Sequence, residues 1–365
     1  MNDGQQIRKG FPITSQWSSH WLWIPTLYLT RGLPYVILLM TSLVYYNRMG
    51  LSNGAITLTT SWFFLPFILR PLLGRIVVGY ESKRFWIVLT ECVMALSLVA
   101  SALSVRLDNW FSYSVAAFMV IAIAAALHDV AIERLYNREA LLLKRPAFFG
   151  LRAVSYLLSI IVGMAIPITL AGNLEVINRT VRPAWATLFW ALAVLMIALT
   201  LLHALILPKA VVRAKLPIWS GVTRQWWHDV TAAFIRRPHY VANLVFLFCF
   251  LIPEGMFIRV APLFLIDPGS NGGLALSPQE LGLVQGTVGT FAFIAGCGLG
   301  ISLVRRDGLQ RWLWFFVMAL TLPKFLFVYL SYYFVSTLSI INICIIIDYF
   351  GAGLGLTTYI VWLGF

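Results

Sequence analysis

Apolar windows of about twenty residues, the length an α-helix needs to cross the hydrocarbon core of a bilayer, follow one another along this chain with short polar breaks between them. They lie near residues 21–46, 55–79, 85–106, 111–134, 147–171, 185–207, 239–266, 279–303, 311–334 and 338–364. Inside a bilayer each backbone N–H and C=O must find its partner within the protein, so windows of this length fold as helices. The expected fold is an all-α membrane protein of about ten spans. With 60% hydrophobic and 11% charged residues, the chain lacks the polar surface of a soluble protein of its size. Met1 to Ser19 is polar, so no cleavable leader is read ahead of the first span, which itself directs insertion.

The formal charge of +13 would point to nucleic acid in a soluble domain. In a chain of apolar spans it follows instead from the excess of Lys and Arg in cytoplasmic connections. Arg8 and Lys9, then Lys83 and Arg84, then Arg138, Lys144 and Arg145, then Lys209 through Arg237, then Arg305, Arg306 and Arg311 fall in alternate connections. The opposite connections hold Arg48, Arg106, Arg179 and Arg182. The expected topology puts the N-terminus, the long middle connection and the last residues in the cytoplasm, with lipid as the main partner and nucleic acid excluded. Cys92, Cys249, Cys297 and Cys344 fall in apolar spans without metal or disulfide spacing; they read as packing residues, and no metal or cofactor is expected. Asn178-Arg-Thr180 is a glycosylation pattern of only three residues, a weak signal.

One long polar interval, from about Pro208 to Pro238, carries Lys209, Arg213, Lys215, Arg224, Arg236, Arg237 and the pair Trp226-Trp227. It divides the chain into a six-span unit, 1–207, a basic cytoplasmic linker, 208–238, and a four-span unit, 239–365. The two units echo each other in their rare residues. Span one has Arg31-Gly-Leu-Pro34 and span seven Pro253-Glu254-Gly255 with Arg259; span four has His128-Asp129 and Glu133, and span ten Asp348. Span two exits into Glu81-Ser-Lys83-Arg84 and span eight into Arg305-Arg306-Asp307. Such a pseudo-repeat is expected of a transporter whose halves are related by an axis along the membrane normal.

The residues also carry a family resemblance. Arg31-Gly-Leu-Pro-Tyr35, Ala126-Leu-His-Asp-Val-Ala-Ile-Glu133, Gly282-Leu-Val-Gln-Gly-Thr-Val-Gly289 and Asp348-Tyr-Phe-Gly-Ala-Gly-Leu-Gly355 resemble the AmpG-like branch of the major facilitator superfamily. That branch includes muropeptide permeases and acetyl-coenzyme A transporters. The resemblance extends over nearly the whole chain. It implies a major facilitator fold with six plus four helices visible and the last two of twelve missing, in a bacterial cytoplasmic (inner) membrane, as a monomer. Two departures matter. Where the family has an aspartate near the end of span two, in the loop that locks the inner gate, this chain reads Arg75-Ile-Val-Val-Gly-Tyr-Glu81; either Glu81 substitutes or the lock is weaker. Where the family has Gln-Asp and a second Asp in span four, this chain has His128-Asp129 and Glu133, which keeps the charge and adds an imidazole.

A charge at bilayer depth costs about 2.5–3.5 kcal/mol at a helix centre and requires a partner or a wet cavity. Counting along the spans puts Arg31 and Asp348 near mid-membrane, Glu254 and Lys324 somewhat outward, and Asp129, Glu133, Arg134 and Arg152 toward the cytoplasmic mouth, in two charged layers. Arg31, beside Gly32 and Pro34, which weaken the helical ladder, has two readings. It anchors a carboxylate or phosphate of the solute, or it forms an ion pair with Asp129 or Asp348. Asp129 and Glu133 share a helix face at i, i+4; two such carboxylates suit proton coupling, or Arg134 and Arg152 neutralise them as gate salt bridges. His128 is a relay by its ordinary pKa or a packing residue; His203, His228 and His239 default to solvated positions.

Glu254 sits at an expected helix break, and Lys324, after Pro323, is positioned to pair with Asp348. Gln285, Thr287 and Thr290, with Tyr35, Tyr45, Tyr46 and Trp62, offer polar and stacking contacts to a sugar-like solute, packing being the other reading of each. Gly296-Cys-Gly298-Leu-Gly300 reads as close helix packing. Intramembrane Arg and Lys outnumber Asp and Glu in this view, which favours an anionic solute.

The expected function is a secondary transporter, proton-coupled symport of a polar or anionic solute such as a muropeptide or sugar-peptide fragment, by alternating access. Arg31, Tyr35, Glu254, Gln285 and Lys324 would bind solute; Asp129, Glu133, Asp348 and His128 would couple protons; Lys83, Arg84, Arg134, Arg152, Arg305 and Arg306 would gate. The alternatives are a non-transporting sensor or inactive truncated permease, and a carrier of acyl-coenzyme A or a nucleotide-like solute. No Ser-His-Asp, His-x-x-x-His or Gly-x-Ser-x-Gly pattern is present to suggest an enzyme.

Overall fold

The computed structural model describes residues 13–79, 83–143, 146–207, 232 and 240–364. They form ten helical segments: α1 (Ile13–Val36, continued through a π turn, Ile37–Thr41, into Ser42–Arg48), α2 (Asn53–Trp62, Leu65–Ile68 and Arg70–Gly79), α3 (Lys83–Ser104), α4 (Trp110–Leu143), α5 (Pro146–Ile160, a π turn, Ile161–Ala165, and Ile166–Asn178), α6 (Val181–Ile206), α7 (Tyr240–Ile266), α8 (Pro278–Leu281, a π segment, Gly282–Gly289, and Thr290–Asp307), α9 (Leu309–Thr321 and Lys324–Tyr333) and α10 (Leu338–Gly364). Each coincides with an expected apolar window. Among the described residues nine are continuous and apolar enough to cross a membrane by length and composition. The exception is α2, expected as one helix over 55–79 and instead turning at Phe63-Phe64 and Leu69. Pro66 and Pro71 follow these turns, and a proline cannot donate to the helical ladder. Glu81, Lys144, Arg145 and the expected linker 208–238, with Trp226 and Trp227 and apart from Ala232, lie outside the described residues.

The helices bend in places other than those expected. α1 runs as regular helix through Gly32 and Pro34, and its irregularity comes one turn later, at Ile37–Thr41. Gly32 serves close approach instead: a Cβ there would collide with Ser159 of α5. α7 is likewise continuous through Pro253 and Pro262, so Glu254 is not at a break. Breaks beside a charge occur in α9, where Lys324 opens the second piece after Pro323, and in α2, where Arg70 opens the third piece. The glycine-rich stretch of α8 is wound as a π segment over eight residues, the widened form that frees carbonyls and recurs at functional positions. One carbonyl of the α5 π turn, that of Gly163, accepts a hydrogen bond from Thr41 Oγ1 of the α1 π turn at 2.5 Å. Without that partner it would be an unsatisfied acceptor in an apolar medium.

α1 packs against α5 and α4, α3 against α4 and α6, and α5 against α6, whereas α8 and α9 pack against α10. Tyr45 and Tyr46 fall inside an aromatic cluster with Trp110, Phe118, Trp185 and Phe189. Both are fully buried, so packing, not solute contact, is their part. Gly296 and Gly300 meet Phe350 and Thr357 of α10, as helix packing requires, while Gly298 faces open space. The two sets of helices meet along α5 and α8, where a Cβ on Gly286 would fall 2.6 Å from the Ala165 Cα, and at the ends of α1 and α7.

Candidate functional site

α1, α2 and α4 bring four charges together. Arg31 Nε and Arg70 Nη1 form ion pairs with the two oxygens of Asp129, and Arg31 Nη2 lies 3.8 Å from Glu133 Oε2. The i, i+4 spacing thus puts both carboxylates on one face, as expected, but their cations are Arg31 and Arg70. Arg134 and Arg152 do not fill that role. The Arg152 guanidinium lies over the rings of Tyr28 and Tyr136, at 4.8 and 4.3 Å, and Arg134 is half-buried beside α2 at Gly74. Arg31 is therefore joined to Asp129, one of the two ion pairs read for it in the sequence, and the two lie in one cluster where the depth count had put them in separate layers. Tyr35, one turn beyond Arg31, presents its ring edge-on to Phe64 and Phe67, 5.2 and 5.7 Å away. Its hydroxyl is within electrostatic reach of Arg70 and Arg259.

The second cluster belongs to α7, α9 and α10. Lys324 Nζ donates to Asp348 Oδ1 at 2.8 Å and lies 3.3 Å from Glu254 Oε2, as the expected Lys324–Asp348 pairing requires. The ammonium also sits 4.0 Å from the centre of the Phe257 ring. Two carboxylates share one ammonium, an excess of acid in a setting where an uncompensated charge is expensive.

At one end the halves are tied. Asn47 Nδ2 and Asn53 Nδ2 donate to the two oxygens of Asp267, at 2.6 and 2.5 Å. The loop holding Asp267 folds back on α7 through Ala275 N to Asp267 O, 2.8 Å, and Leu276 N to Leu265 O, 2.8 Å. Ser277 and Glu280 then cap α8 reciprocally, Ser277 N donating to Glu280 Oε2 at 2.8 Å. About two turns below Asp267, Arg259 reaches α2: its Nη1 donates to Ser61 Oγ at 2.8 Å, Thr60 Oγ1 at 3.0 Å and the Thr57 carbonyl at 3.4 Å. The guanidinium also lies 5.0 Å from the Phe64 ring centre. Among the described residues no carboxylate pairs with it, unlike Arg31, Arg70 and Lys324.

The residues expected to gate lie at the other end. Lys83 Nζ donates to the Val77 carbonyl at 3.2 Å, and Arg84 to the carbonyl of Ala204 on α6. Arg305 and Arg306 are exposed, and Arg306 lies 3.7 Å from Asp307 of its own helix. Gln285 is buried in the α8 π segment.

His128 is fully buried beside a residue overlooked in the sequence, Glu91, and beside His203. His203 is not solvated: its Nδ1 lies 2.7 Å from Glu91 Oε1, because α6 carries it inward against α3. Glu91, an acid in mid-window, obeys the same rule that flagged Asp129. Arg70 and Asp267 were legible more weakly, as a charge just after a proline-broken window and a charge in a loop.

Comparison of three-dimensional structures finds this arrangement of helices in solved transporters. A bacterial homolog of the human lysosomal transporter Spinster, in an inward-facing and unoccupied conformation, superposes with a TM-score of 0.62 at 15% identity, over 96% of this chain and 76% of that one. The xylose transporter XylE from E. coli in its inward open conformation gives 0.62 at 14%, over 94% and 82%. A D-xylose–proton symporter gives 0.57 at 13%, over 94% and 82%. No protein-family model matches the chain, and no curated protein matches it in sequence. With its apolar spans and this likeness, the chain is an integral membrane protein with the major facilitator fold.

Proposed function

We propose that the chain is a secondary transporter that moves a polar, anionic solute by rocking its two sets of helices about a central site. The observation that carries this reading is a charge cluster within the apolar helices of each set, Arg31–Asp129–Arg70 in the first and Lys324–Glu254–Asp348 in the second, with the helices tied at the Asp267 end. Charges this deep in apolar helices serve a pathway more readily than a scaffold. The tied end is the outward one by the distribution of Lys and Arg, so this is an inward-facing form. The anionic preference rests on Arg259, a guanidinium with no carboxylate partner among the described residues, at the meeting of α2 and α7, next to Tyr35 and Phe64. A carboxylate or phosphate fits its planar fork, and the aromatic edges suit a sugar-bearing body, consistent with the AmpG-like motifs and a sugar-peptide fragment. Arg31 and Arg70 then exchange between Asp129 and the solute as the site loads. The acid excess around Lys324 suits a proton that enters with the solute at Asp348 or Glu254.

The test is uptake into proteoliposomes under a pH gradient, comparing a muropeptide, a sugar phosphate, an acyl-coenzyme A and a neutral sugar. The expected result is accumulation of an anionic member that collapses with a protonophore and is lost in Arg259→Gln. Preference for the neutral sugar would overturn the anionic reading; neither accumulation nor exchange of any solute by folded protein would overturn transport.

A further inference from the structure

We propose that Glu91, His203 and His128 form a proton-binding site inside the first six helices, separate from both charge clusters. The three side chains come from α3, α6 and α4, and all are fully shielded, each at 0% exposure. His203 Nδ1 lies 2.7 Å and His128 Nε2 3.6 Å from the same oxygen, Glu91 Oε1. The imidazoles are held from behind by hydroxyls. His203 Nε2 is 3.0 Å from Thr26 Oγ1, and His128 Nδ1 is 3.0 Å from Thr90 Oγ1. His128 Nε2 also approaches Thr30 Oγ1 at 3.4 Å.

Charge balance carries the argument. A carboxylate shielded from water needs a counter-charge or a proton, and among the described residues no guanidinium or ammonium bonds Glu91. The charged groups facing the trio are Arg31 of α1, engaged with Asp129, and Asp129 itself, which follows His128 on α4. Arg84 of α3 ends on the carbonyl of Ala204, next to His203 of α6. One proton on the trio, shared between His203 Nδ1 and Glu91 Oε1, makes it neutral; two neutral imidazoles leave it at −1. Glu91 Oε2 is buried with no hydrogen-bond partner, a position a second anion-stabilising donor would otherwise occupy. The proton arrives from water and returns to water, with nothing oxidised or reduced. Imidazole suits the task because it accepts at one ring nitrogen while donating from the other.

Its role in the cycle rests on the transporter reading. An unloaded trio is negative and draws Arg31 away from Asp129, so proton occupancy biases the cluster assigned to solute. Proton binding itself does not depend on that reading and is tested first. In liposomes, protein labelled with nitrogen-15 histidine and carrying His20→Gln, His228→Gln and His239→Gln reports His128 and His203 alone. The expected result is one imidazole that changes between neutral and charged within the pH range over which the protein stays folded. Both histidines unchanged in charge over that range would overturn the site, and because this arm keeps Glu91 it does not depend on a variant of the trio folding. Glu91→Gln should abolish the titrating signal and cut gradient-driven accumulation at least tenfold while solute exchange persists. Accumulation equal to wild type in Glu91→Gln would overturn the coupling role. A titrating histidine in wild type that transports none of the panel would leave the proton site standing and defeat the transporter reading.

Discussion

Replacing Asp129 with asparagine removes a carboxylate that two guanidiniums grip, and the cost can be worked from the geometry. Removing one partner of a fully buried pair costs about 3–5 kcal/mol, because a charge is left uncompensated. Here the side chains of Arg31 and Asp129 are 15% and 7% exposed, but that of Arg70 is 38% exposed. The Arg70 contact is therefore screened toward the surface value of about 0–1 kcal/mol, and Arg31 keeps Glu133 at 3.8 Å. The expected loss for Asp129→Asn is about 2–4 kcal/mol, and for Arg70→Gln about 1 kcal/mol. The double variant should lose about 1 kcal/mol less than the sum, since the Arg70–Asp129 ion pair is already gone once Asp129 is neutral. Reversible unfolding in mixed micelles measures all three. Additivity within about 0.5 kcal/mol, or an Asp129→Asn protein as stable as wild type, would refute the proposed grip.

Arg31→Ala should abolish uptake while the protein still inserts and elutes as a single species from size-exclusion chromatography; wild-type uptake would remove Arg31 from the solute site. Lys324→Met leaves Glu254 and Asp348 without their shared ammonium, so the yield of folded protein should fall several-fold and recover in part with Asp348→Asn added, as read by fluorescence-detected chromatography. Gly286→Val drives a side chain into the Ala165 backbone, so a disulfide between cysteines placed at Thr169 and Gly282 should form more slowly than in the parent; an unchanged rate would mean the helices do not meet there. Asn53→Ala with Asp267→Ala removes a tie between the halves, and a cysteine at Ser61 should then react faster with an aqueous thiol reagent.

The spans were legible because bilayer thickness imposes one length on every apolar window, and the pairing of Lys324 with Asp348 followed from the cost of a lone charge at depth. Partner choice was harder to read. Asp129 took Arg31 from α1 and Arg70 from α2, not Arg134 and Arg152, because neighbours in sequence on a helix point around its axis while neighbours in space come from adjoining helices. Backbone irregularity was displaced from the prolines for a related reason. A proline in a spanning helix is tolerated where its freed carbonyl is satisfied, so α1 and α7 run through theirs, whereas α2 breaks beside Pro66 and Pro71. His203 was assigned by its place near a helix end, and the inward face of α6 decided otherwise.

Distances across the two ends, measured in liposomes by pulsed electron paramagnetic resonance, test alternating access most directly. Cys92 and Cys249 are exposed and would first be replaced with the other two cysteines; labels then go on Ser52 with Asn271 at the tied end, and Phe85 with Arg306 at the other, all exposed positions. The expected result is two populations in each pair that shift in opposite directions when pH is changed or a transported solute is added, the tied end lengthening as the other shortens. A single unchanging distance at both ends, under every pH and every solute of the panel, would contradict a transporter that rocks about this site.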